Sequence, residues 1–302
     1  SSRNRAVVHG IGDDCAVLRA GAGLDFLITT DLCIENVHFV RKWHPARCVG
    51  HRCLARGLSD IAAMGGEPLA CFLSFGLPAK LPQKWADEFL RGLEALARKF
   101  GVQLAGGDIA AAPVITADIV VTGRVPAGRA LLRSGARASD RIFVSGELGG
   151  SAATLKRLFA GERIAPSHSS RHFYPEPRME LGRWLREGGL ATAVIDLSDG
   201  LSVDLAHICQ ESGVDAVIDA AKIPVARGAT LECALHGGED YELLFTVPPK
   251  KNLPPRINGV KVTEIGVIRK AGYYASAIQI LGENRRLQAL EPRGWQHFGK
   301  SR

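Results

Sequence analysis

The spacing of apolar residues along the chain predicts short strands that alternate with longer helices in its first part. Runs rich in β-branched and aromatic residues, bounded by Gly, Asp or Pro, are typical of strands. These runs are residues 25–30, 71–76, 115–122 and 141–145. Residues 45–64 and 82–100 each begin with a proline and are followed by a glycine, and the second range shows helical apolar spacing. We predict a helix over each, and therefore a mixed α/β first domain.

A second series of elements begins with residues 141–145. In chain order the pattern predicts a helix over 150–160, a polar loop over 161–176, a helix over 177–188, a strand over 193–196, a helix over 201–212, strands over 214–219 and 243–247, a loop over 248–255 and a weakly patterned tail. A polar segment rich in small residues, 129–140, precedes this series. We therefore predict an N-terminal α/β domain over residues 1–134 and a C-terminal α+β domain over residues 135–302.

Composition is that of a globular protein with one large or two compact domains: the chain has 302 residues, 46% of them hydrophobic and 23% charged. No apolar run reaches the roughly 18 residues that cross a bilayer, and the first residues lack the regions of a signal peptide. We expect a soluble, non-exported protein with no membrane partner. Seven cysteines, an odd number without a CxxC pair, favour reduced thiols in the cytoplasm over a disulfide framework.

The formal net charge of +7 suits nucleic acid, an anionic membrane surface or a small phosphorylated ligand. Aromatic and basic residues are not interleaved as they are on surfaces that bind single-stranded nucleic acid. We therefore expect no nucleic-acid partner. A non-catalytic, basic nucleotide-binding protein remains an alternative from a different functional class.

Carboxylates at the ends of apolar stretches are the strongest sign of chemistry. Five stretches deliver acids into turns of Gly, Ser or Thr, and these acids are Asp13, Asp14, Asp31, Asp60, Asp108, Asp196 and Asp199. Ionised carboxylates are costly to remove from water, so a cluster of them requires cations. A donor set made of carboxylate oxygens favours Mg²⁺, or Mn²⁺, over Zn²⁺. Each Asp taken singly could instead cap a helix or close an Asx-turn.

Glycine-bearing turns and arginines favour a phosphate ligand. The turns contain residues 10–12, 65–66, 106–107 and 237–238, and the arginines are Arg124, Arg129 and Arg133. Glycine permits close approach of the backbone to phosphate oxygens, and beside Mg²⁺ these features favour a nucleoside triphosphate. The arginines could also be solvated surface residues.

One further cluster allows two interpretations. His44, Cys48 and His51 share one face of the helix predicted over 45–64. They could hold a structural zinc ion, or they could form a packing face of the helix.

Seven strings, in this order, resemble those of the thiamine-monophosphate kinase family, whose superfamily also contains aminoimidazole-ribonucleotide synthetase, selenophosphate synthetase and a hydrogenase-maturation protein. The strings are GIGDDCAVL (10–18), TTDLCIENVHF (29–39), LSDIAAMGGEP (58–68), LAGGD (104–108), GRALLRSGA (128–136), IDLSDGLSVDL (195–205) and GGEDYELLF (237–245). The resemblance spans nearly the whole chain. Another ATP-dependent synthetase of the same superfamily, acting on a different phosphorylated small molecule, is the alternative within enzymes.

The resemblance implies an N-terminal α/β domain whose sheets pair across a homodimer, followed by a C-terminal α+β domain. It implies Mg²⁺-dependent transfer of the ATP γ-phosphoryl group to thiamine monophosphate, giving thiamine diphosphate and ADP, with several Mg²⁺ ions and ATP as co-substrate. The implied metal ligands are Asp14, Thr29, Thr30, Asp31, Asp60, Asp108, Asp196 and Asp199. The implied nucleotide contacts are Gly107, Asp108, Arg133 and Ser198, and the implied thiamine-phosphate contacts are His38, Glu239 and Trp295.

The chemistry of this reaction requires no general base on the protein. The acceptor is a phosphate monoester, which is largely ionised near neutral pH and already nucleophilic. We therefore assign no acid or base residue. Glu239 is the candidate neighbour of the cationic thiazolium ring, and Trp295 could stack on that ring.

Overall fold

Two sheets organise the chain in the computed structural model, which describes residues 6–272, 277–282 and 284–294. In these residues the strands are β1 (Val7–His9), β2 (Ala16–Gly21), β3 (Leu24–Ile34), β4 (Glu67–Leu77), β5 (Gln103–Ala111), β6 (Thr116–Pro126), β7 (Arg141–Ser145), β8 (Ala193–Asp196), β9 (Val214–Asp219), β10 (Leu243–Val247), β11 (Arg256–Ile257), β12 (Val260–Lys270), β13 (Ile278–Leu281) and β14 (Leu287–Ala289). The helices are α1 (Ala46–Ala63), α2 (Gln83–Phe100), α3 (Gly150–Phe159), α4 (Ser170–Phe173), α5 (Met179–Glu187), α6 (Leu201–Ser212) and α7 (Leu231–His236).

Unit 1, the first of two compact units, contains residues up to 130 together with residues 161–186. Its six-stranded sheet has the order β1-β2-β3-β6-β4-β5, in which β4 and β5 are parallel and the other neighbours are antiparallel. Residues of β3, β4 and β6 alternate between buried and exposed positions, and the buried side packs on α1, where Leu54, Leu58 and Ile61 are fully buried. We call this side of the sheet the inner face and the opposite side the outer face.

The division into units differs from the predicted domains of residues 1–134 and 135–302, because residues 161–186 belong to unit 1. Arg52 on α1 donates from Nη1 to the carbonyl of His172 at 2.9 Å, and Arg186 on α5 donates from Nε to the carbonyl of Gly65 at 2.6 Å. Phe173 is fully buried. The sequence pattern of a polar loop contains no sign of these long-range contacts, so it could not assign the segment to its unit.

This segment packs against His44, which precedes α1, and against the side of α1 that carries Cys48 and His51. His44 Nε2 lies 2.9 Å from Nε2 of His172, and His51 Nε2 lies 2.8 Å from the carbonyl oxygen of Pro175. Cys48 is buried and hydrogen-bonds to Tyr174. These contacts favour the interpretation of a packing face over that of a zinc site.

Unit 2 contains residues 131–160 and the described residues from 187 onward. Its sheet has the order β14-β13-β9-β12-β7-β10-β8, and β11 pairs with β12. Helix α6 packs on this sheet, and its buried side chains, among them Leu205 and Ile208, share one core with Ile142, Leu244 and Ile268 of the strands.

The structure confirms several predicted elements to the residue, namely β7, β8, α6, β9 and β10. The weakly patterned tail nevertheless contains β12, an eleven-residue strand that the pattern does not predict. A bulge between Glu264 and Gly266 interrupts its alternation of buried and exposed residues. Strand β5 was also missed, because it is an edge strand whose residues are nearly all exposed.

No helix in the described part of the chain combines the length and the apolar character needed to cross a membrane.

Candidate active site

A cluster of acidic and hydroxyl side chains lies on the inner face of unit 1, where β3 meets the last turn of α1. Thr29 of β3 points to this face, and its hydroxyl donates a hydrogen bond to Oδ2 of Asp60 on α1. Asp14, in the turn between β1 and β2, is buried and places a carboxylate oxygen within 4.8 Å of one of Asp60. Two close carboxylates and a hydroxyl form an oxygen donor set that suits a hard divalent cation.

Asp31 joins the inner face two residues after Thr29, because residues i and i+2 of a strand share a face. Its Oδ1 lies 3.6 Å from Nε of Arg56, which precedes Asp60 by one turn of α1. Helix α1 therefore presents one cation and one anion to β3. The guanidinium of Arg56 offsets part of the negative charge at this face, which sequence reasoning did not foresee.

Two other predicted metal ligands lie on the outer face. Thr30 falls between Thr29 and Asp31, so it points to the other side of β3 and is exposed. Asp108 of β5 pairs with Ser74 of β4, which is exposed on the outer face, and its Oδ1 accepts a hydrogen bond of 2.9 Å from the N–H of Ile109. Unit 1 therefore does not bring Thr30 and Asp108 together with Asp14 and Asp60.

Gly107 is fixed as glycine by the close approach of β5 to β4. A Cβ atom built on it would lie 1.9 Å from the carbonyl oxygen of Leu73. No larger residue fits there without moving a strand.

Unit 2 carries two turns that are held together by backbone hydrogen bonds. One turn, residues 196–200, follows β8, and the other, residues 237–241, precedes β10. The N–H of Glu239 donates to the carbonyl of Ser198 at 2.8 Å, and the N–H of Tyr241 donates to the carbonyl of Leu197 at 2.9 Å. Strands β8 and β10 are antiparallel neighbours, so the end of β8 lies beside the start of β10. Both turns therefore lie at the same end of the sheet. Asp196, Ser198, Asp199 and Glu239 are thereby gathered in one place.

The turn 237–241 has a strained backbone. Glu239 and Tyr241 have φ angles of +63° and +51°, in the left-handed region that non-glycine residues rarely adopt. Each such residue costs on the order of 1 kcal/mol, and strain of this kind concentrates at functional sites.

Asp204 supports the turn 196–200 from inside α6, a role that sequence reasoning missed. It is buried, and its Oδ2 accepts hydrogen bonds from the N–H groups of Asp199 at 3.2 Å and Gly200 at 3.0 Å. Burial, and then the charges of Asp196 and Asp199, raise the pKa of this carboxyl well above its usual range. The sequence did contain one sign of this role, because Asp204 is an acidic residue in the first turn of the helix predicted over 201–212.

The remaining predicted residues are spread more widely. Nδ1 of His38 accepts a hydrogen bond of 3.0 Å from the N–H of Ile34, so the neutral ring carries its proton on Nε2. The carbonyl of Arg133 accepts a hydrogen bond of 3.1 Å from Ser212 at the end of α6, whereas Asp199 precedes the start of that helix. The 12 residues of α6 span about 18 Å. Trp295 lies outside the described residues.

Two family models match the chain, one for each of its halves. Residues 12–125 match the model "AIR synthase related protein, N-terminal domain", and residues 137–277 match "AIR synthase related protein, C-terminal domain". The thiamine-monophosphate kinase of Salmonella typhimurium is 41% identical over 255 residues, which is 80% of this chain and 77% of the relative. That of Haemophilus influenzae is 34% identical over 314 residues, covering 98% and 94%.

Solved structures also match the chain along nearly its whole length. One described as "AaThiL complexed with AMPPCP and TMP" has a TM-score of 0.84 and 31% identity, covering 95% of this chain and 92% of that chain. A hydrogenase maturation protein, HypE, has a TM-score of 0.78 at 17% identity, covering 98% and 97%, and therefore shares the fold alone. The comparisons confirm the family and the two-domain fold that the sequence strings indicated.

Proposed function

We propose, because this chain belongs to the thiamine-monophosphate kinase family of AIR synthase related proteins, that it transfers the γ-phosphoryl group of ATP to thiamine monophosphate, giving thiamine diphosphate and ADP. The observation that carries this proposal is similarity along the whole chain: 34% identity over 98% of it to a curated thiamine-monophosphate kinase. The solved relative described as complexed with AMPPCP and TMP supports both substrates.

The donor chemistry of the two acidic regions supports Mg²⁺ as the metal. Asp14 and Asp60 offer carboxylate oxygens within 4.8 Å of each other, and Thr29 adds a hydroxyl. We propose that Asp14, Thr29, Thr30, Asp31, Asp60, Asp108, Asp196 and Asp199 hold several ions. Bound Mg²⁺ supplies neutralisation of phosphate charge and alignment of the reacting groups, which is what phosphoryl transfer chiefly requires.

We propose that Gly107, Asp108, Arg133 and Ser198 contact the nucleotide. Support comes from the exposed backbone of β5 at Gly107 and from the bonded turns that fix Ser198. Exposed backbone at glycine permits close approach of phosphate oxygens. The guanidinium of an arginine can donate two parallel hydrogen bonds to two oxygens of one phosphate.

We propose that His38, Glu239 and Trp295 recognise thiamine monophosphate. The Nε2–H of His38 is a hydrogen-bond donor suited to a phosphate oxygen. The carboxylate of Glu239, held in a fixed turn, suits the cationic thiazolium ring. The acceptor phosphate needs no general base, because it is already ionised.

We propose that two copies of the chain associate through the outer face of unit 1. Phe26, Leu32 and Phe72 are 43%, 48% and 40% exposed, although all three are large apolar residues on this face of the sheet. Exposed apolar surface of this kind is a feature of protein interfaces. Strand β5 also presents an exposed edge, and such an edge promotes pairing with another chain.

We propose a cytoplasmic location. All seven cysteines belong to the described part of the chain, and each is a buried thiol without a disulfide bond. Reduced thiols of this kind are typical of proteins in a reducing compartment.

A substrate panel tests the proposed reaction. Purified protein is incubated with Mg-ATP and, separately, thiamine monophosphate, aminoimidazole precursors and other phosphorylated small molecules, and ADP release is measured. We expect ADP release with thiamine monophosphate and with no other acceptor of the panel. Turnover with another acceptor would instead identify a related synthetase, and Mg²⁺-independent ATP binding without turnover would identify a nucleotide-binding protein.

A further inference from the structure

Three acidic residues lie close together where the turn 237–241 enters β10, and the structure gives them different surroundings. Glu242 is buried, and its Oε2 accepts a hydrogen bond of 2.5 Å from the hydroxyl of Ser145 at the end of β7. Asp240 accepts hydrogen bonds from two backbone N–H groups at the start of α3, those of Gly149 just before the helix and of Ser151 in its first turn. Glu239 is the one of the three that the proposed function assigns to the substrate.

The contacts of Asp240 join the turn to the N-terminus of α3. Its Oδ2 lies 2.6 Å from the N–H of Gly149, and its Oδ1 lies 3.4 Å from the N–H of Ser151. The first turn of α3 contains no acidic residue of its own. Asp240 therefore supplies, from another element, the negative charge that a helix N-terminus favours.

This junction lies between the two strained residues of the turn. Glu239 and Tyr241, on either side of Asp240, are the residues with positive φ. Backbone bonds to Ser198 and Leu197 hold them from one side, and the side chain of Asp240 holds the turn from the other side. A strained conformation persists only where the surrounding contacts enforce it, so loss of the Asp240 carboxylate should let the turn relax.

We propose that Asp240 is a positioning residue for substrate recognition: by binding the N-terminus of α3 it keeps Glu239 in the left-handed conformation that presents its carboxylate to the substrate. The inference rests on the proposed function, in which Glu239 faces the cationic ring of thiamine monophosphate. Asp240 itself acts through Glu239 and not by touching the substrate.

The test compares steady-state kinetics of Asp240→Ala, Asp240→Asn and a control, Thr230→Ala. Thr230 caps α7 through the N–H of Cys233, so its loss weakens a neighbouring helix without touching Asp240. We expect Asp240→Ala to raise the KM for thiamine monophosphate about 10-fold, with kcat and the KM for ATP within about twofold of wild type. Asp240→Asn, whose amide oxygen can still accept one N–H, should raise KM about 3-fold. The control should lower the melting temperature and leave KM unchanged.

A double-mutant cycle with Glu239→Gln separates positioning from simple stabilisation. Because Asp240 acts through Glu239, the double variant should have the KM of Glu239→Gln alone. Two results, in an enzyme that uses thiamine monophosphate, would overturn the inference. One is an equal KM for wild type and Asp240→Ala, and the other is that the effects of the two substitutions on KM multiply in the double variant. Wild-type protein that does not use thiamine monophosphate would overturn the proposed function itself. If Asp240→Ala does not fold, the cycle is run with Asp240→Asn.

Discussion

The proposed metal site includes a close group of oxygen donors, those of Thr29, Asp60 and Asp14. Two carboxylates within 4.8 Å of each other repel by roughly 3 kcal/mol at an effective dielectric constant near 20. The hydroxyl of Thr29 offsets some of this repulsion by donating to Asp60. Without a cation, the folded state therefore contains an unfavourable charge pair that serves ligand binding.

Replacing Asp14 by Asn should separate catalysis from stability. We expect Asp14→Asn to lower turnover more than about 100-fold while its melting temperature in Mg²⁺-free buffer equals or exceeds that of wild type, because a repulsive charge is removed. The measurements are ADP release and calorimetry in EDTA. Asp87→Asn, a half-buried residue of α2 whose side chain accepts a hydrogen bond from Gln83, is the matched control and should change neither quantity. An active Asp14→Asn variant would show that Asp14 only closes a turn.

The sequence was sufficient to single out these acids, but not to sort them by location. Alternation along β3 follows from the sequence and separates Thr29 from Thr30. Asp204 was recognisable as an acid in the first turn of a predicted helix, and its partners, the N–H groups of Asp199 and Gly200, are close in sequence. Asp240 gave no such sign, because its partner, the N–H of Gly149, is brought close only by folding. The same holds for Arg56, whose position beside Asp31 depends on how α1 lies across β3.

At the scale of elements, helix α1 determines how unit 1 is assembled. One of its faces packs on the sheet and delivers Asp60, and another receives residues 170–175. His51 belongs to the second face, and its neighbours include Glu176, Lys99 and Arg52. Burial lowers the pKa of His51, more than the hydrogen bond to Pro175 and the charge of Glu176 raise it.

This lowered pKa predicts a loss of stability in acid. The unfolded chain binds a proton to His51 near the ordinary value of 6.5, whereas the folded protein resists protonation, so stability is complete above pH 6.5 and declines as the pH falls below it. His51→Gln, which keeps a donor for the carbonyl of Pro175, should show a smaller drop in melting temperature between pH 7 and pH 5. Equal drops in the two proteins would contradict the assignment.

Elements were predictable where their pattern is regular. Strands β7 to β10 are short, apolar and bounded by turn residues, and their bounds follow from the sequence. Strand β12 was hidden by its bulge at Glu264 and Gly266. The sequence could not indicate that residues 161–186 pack with unit 1, because buried contacts such as those of Phe173 depend on a distant part of the chain.

At the scale of the whole molecule, the outer face of unit 1 predicts a dimer that a single charge should weaken. Phe72 on β4 pairs with Val120 on β6 near the middle of this face. We expect wild type to scatter light as a dimer at micromolar concentration and Phe72→Glu to shift toward the monomer, because an interface would bury the new charge. Phe159→Glu, on the exposed side of α3 in unit 2, is the control and should remain dimeric. A monomeric wild type would refute the proposed association.

Direct transfer of the γ-phosphoryl group to thiamine monophosphate is the central claim. The most direct measurement incubates the protein with γ-³²P-labelled ATP, Mg²⁺ and thiamine monophosphate and separates the products by chromatography. We predict label in thiamine diphosphate, at its terminal phosphate, with formation abolished by EDTA. Label released only as inorganic phosphate, or retained in ATP while Mg²⁺ is present, would contradict the account.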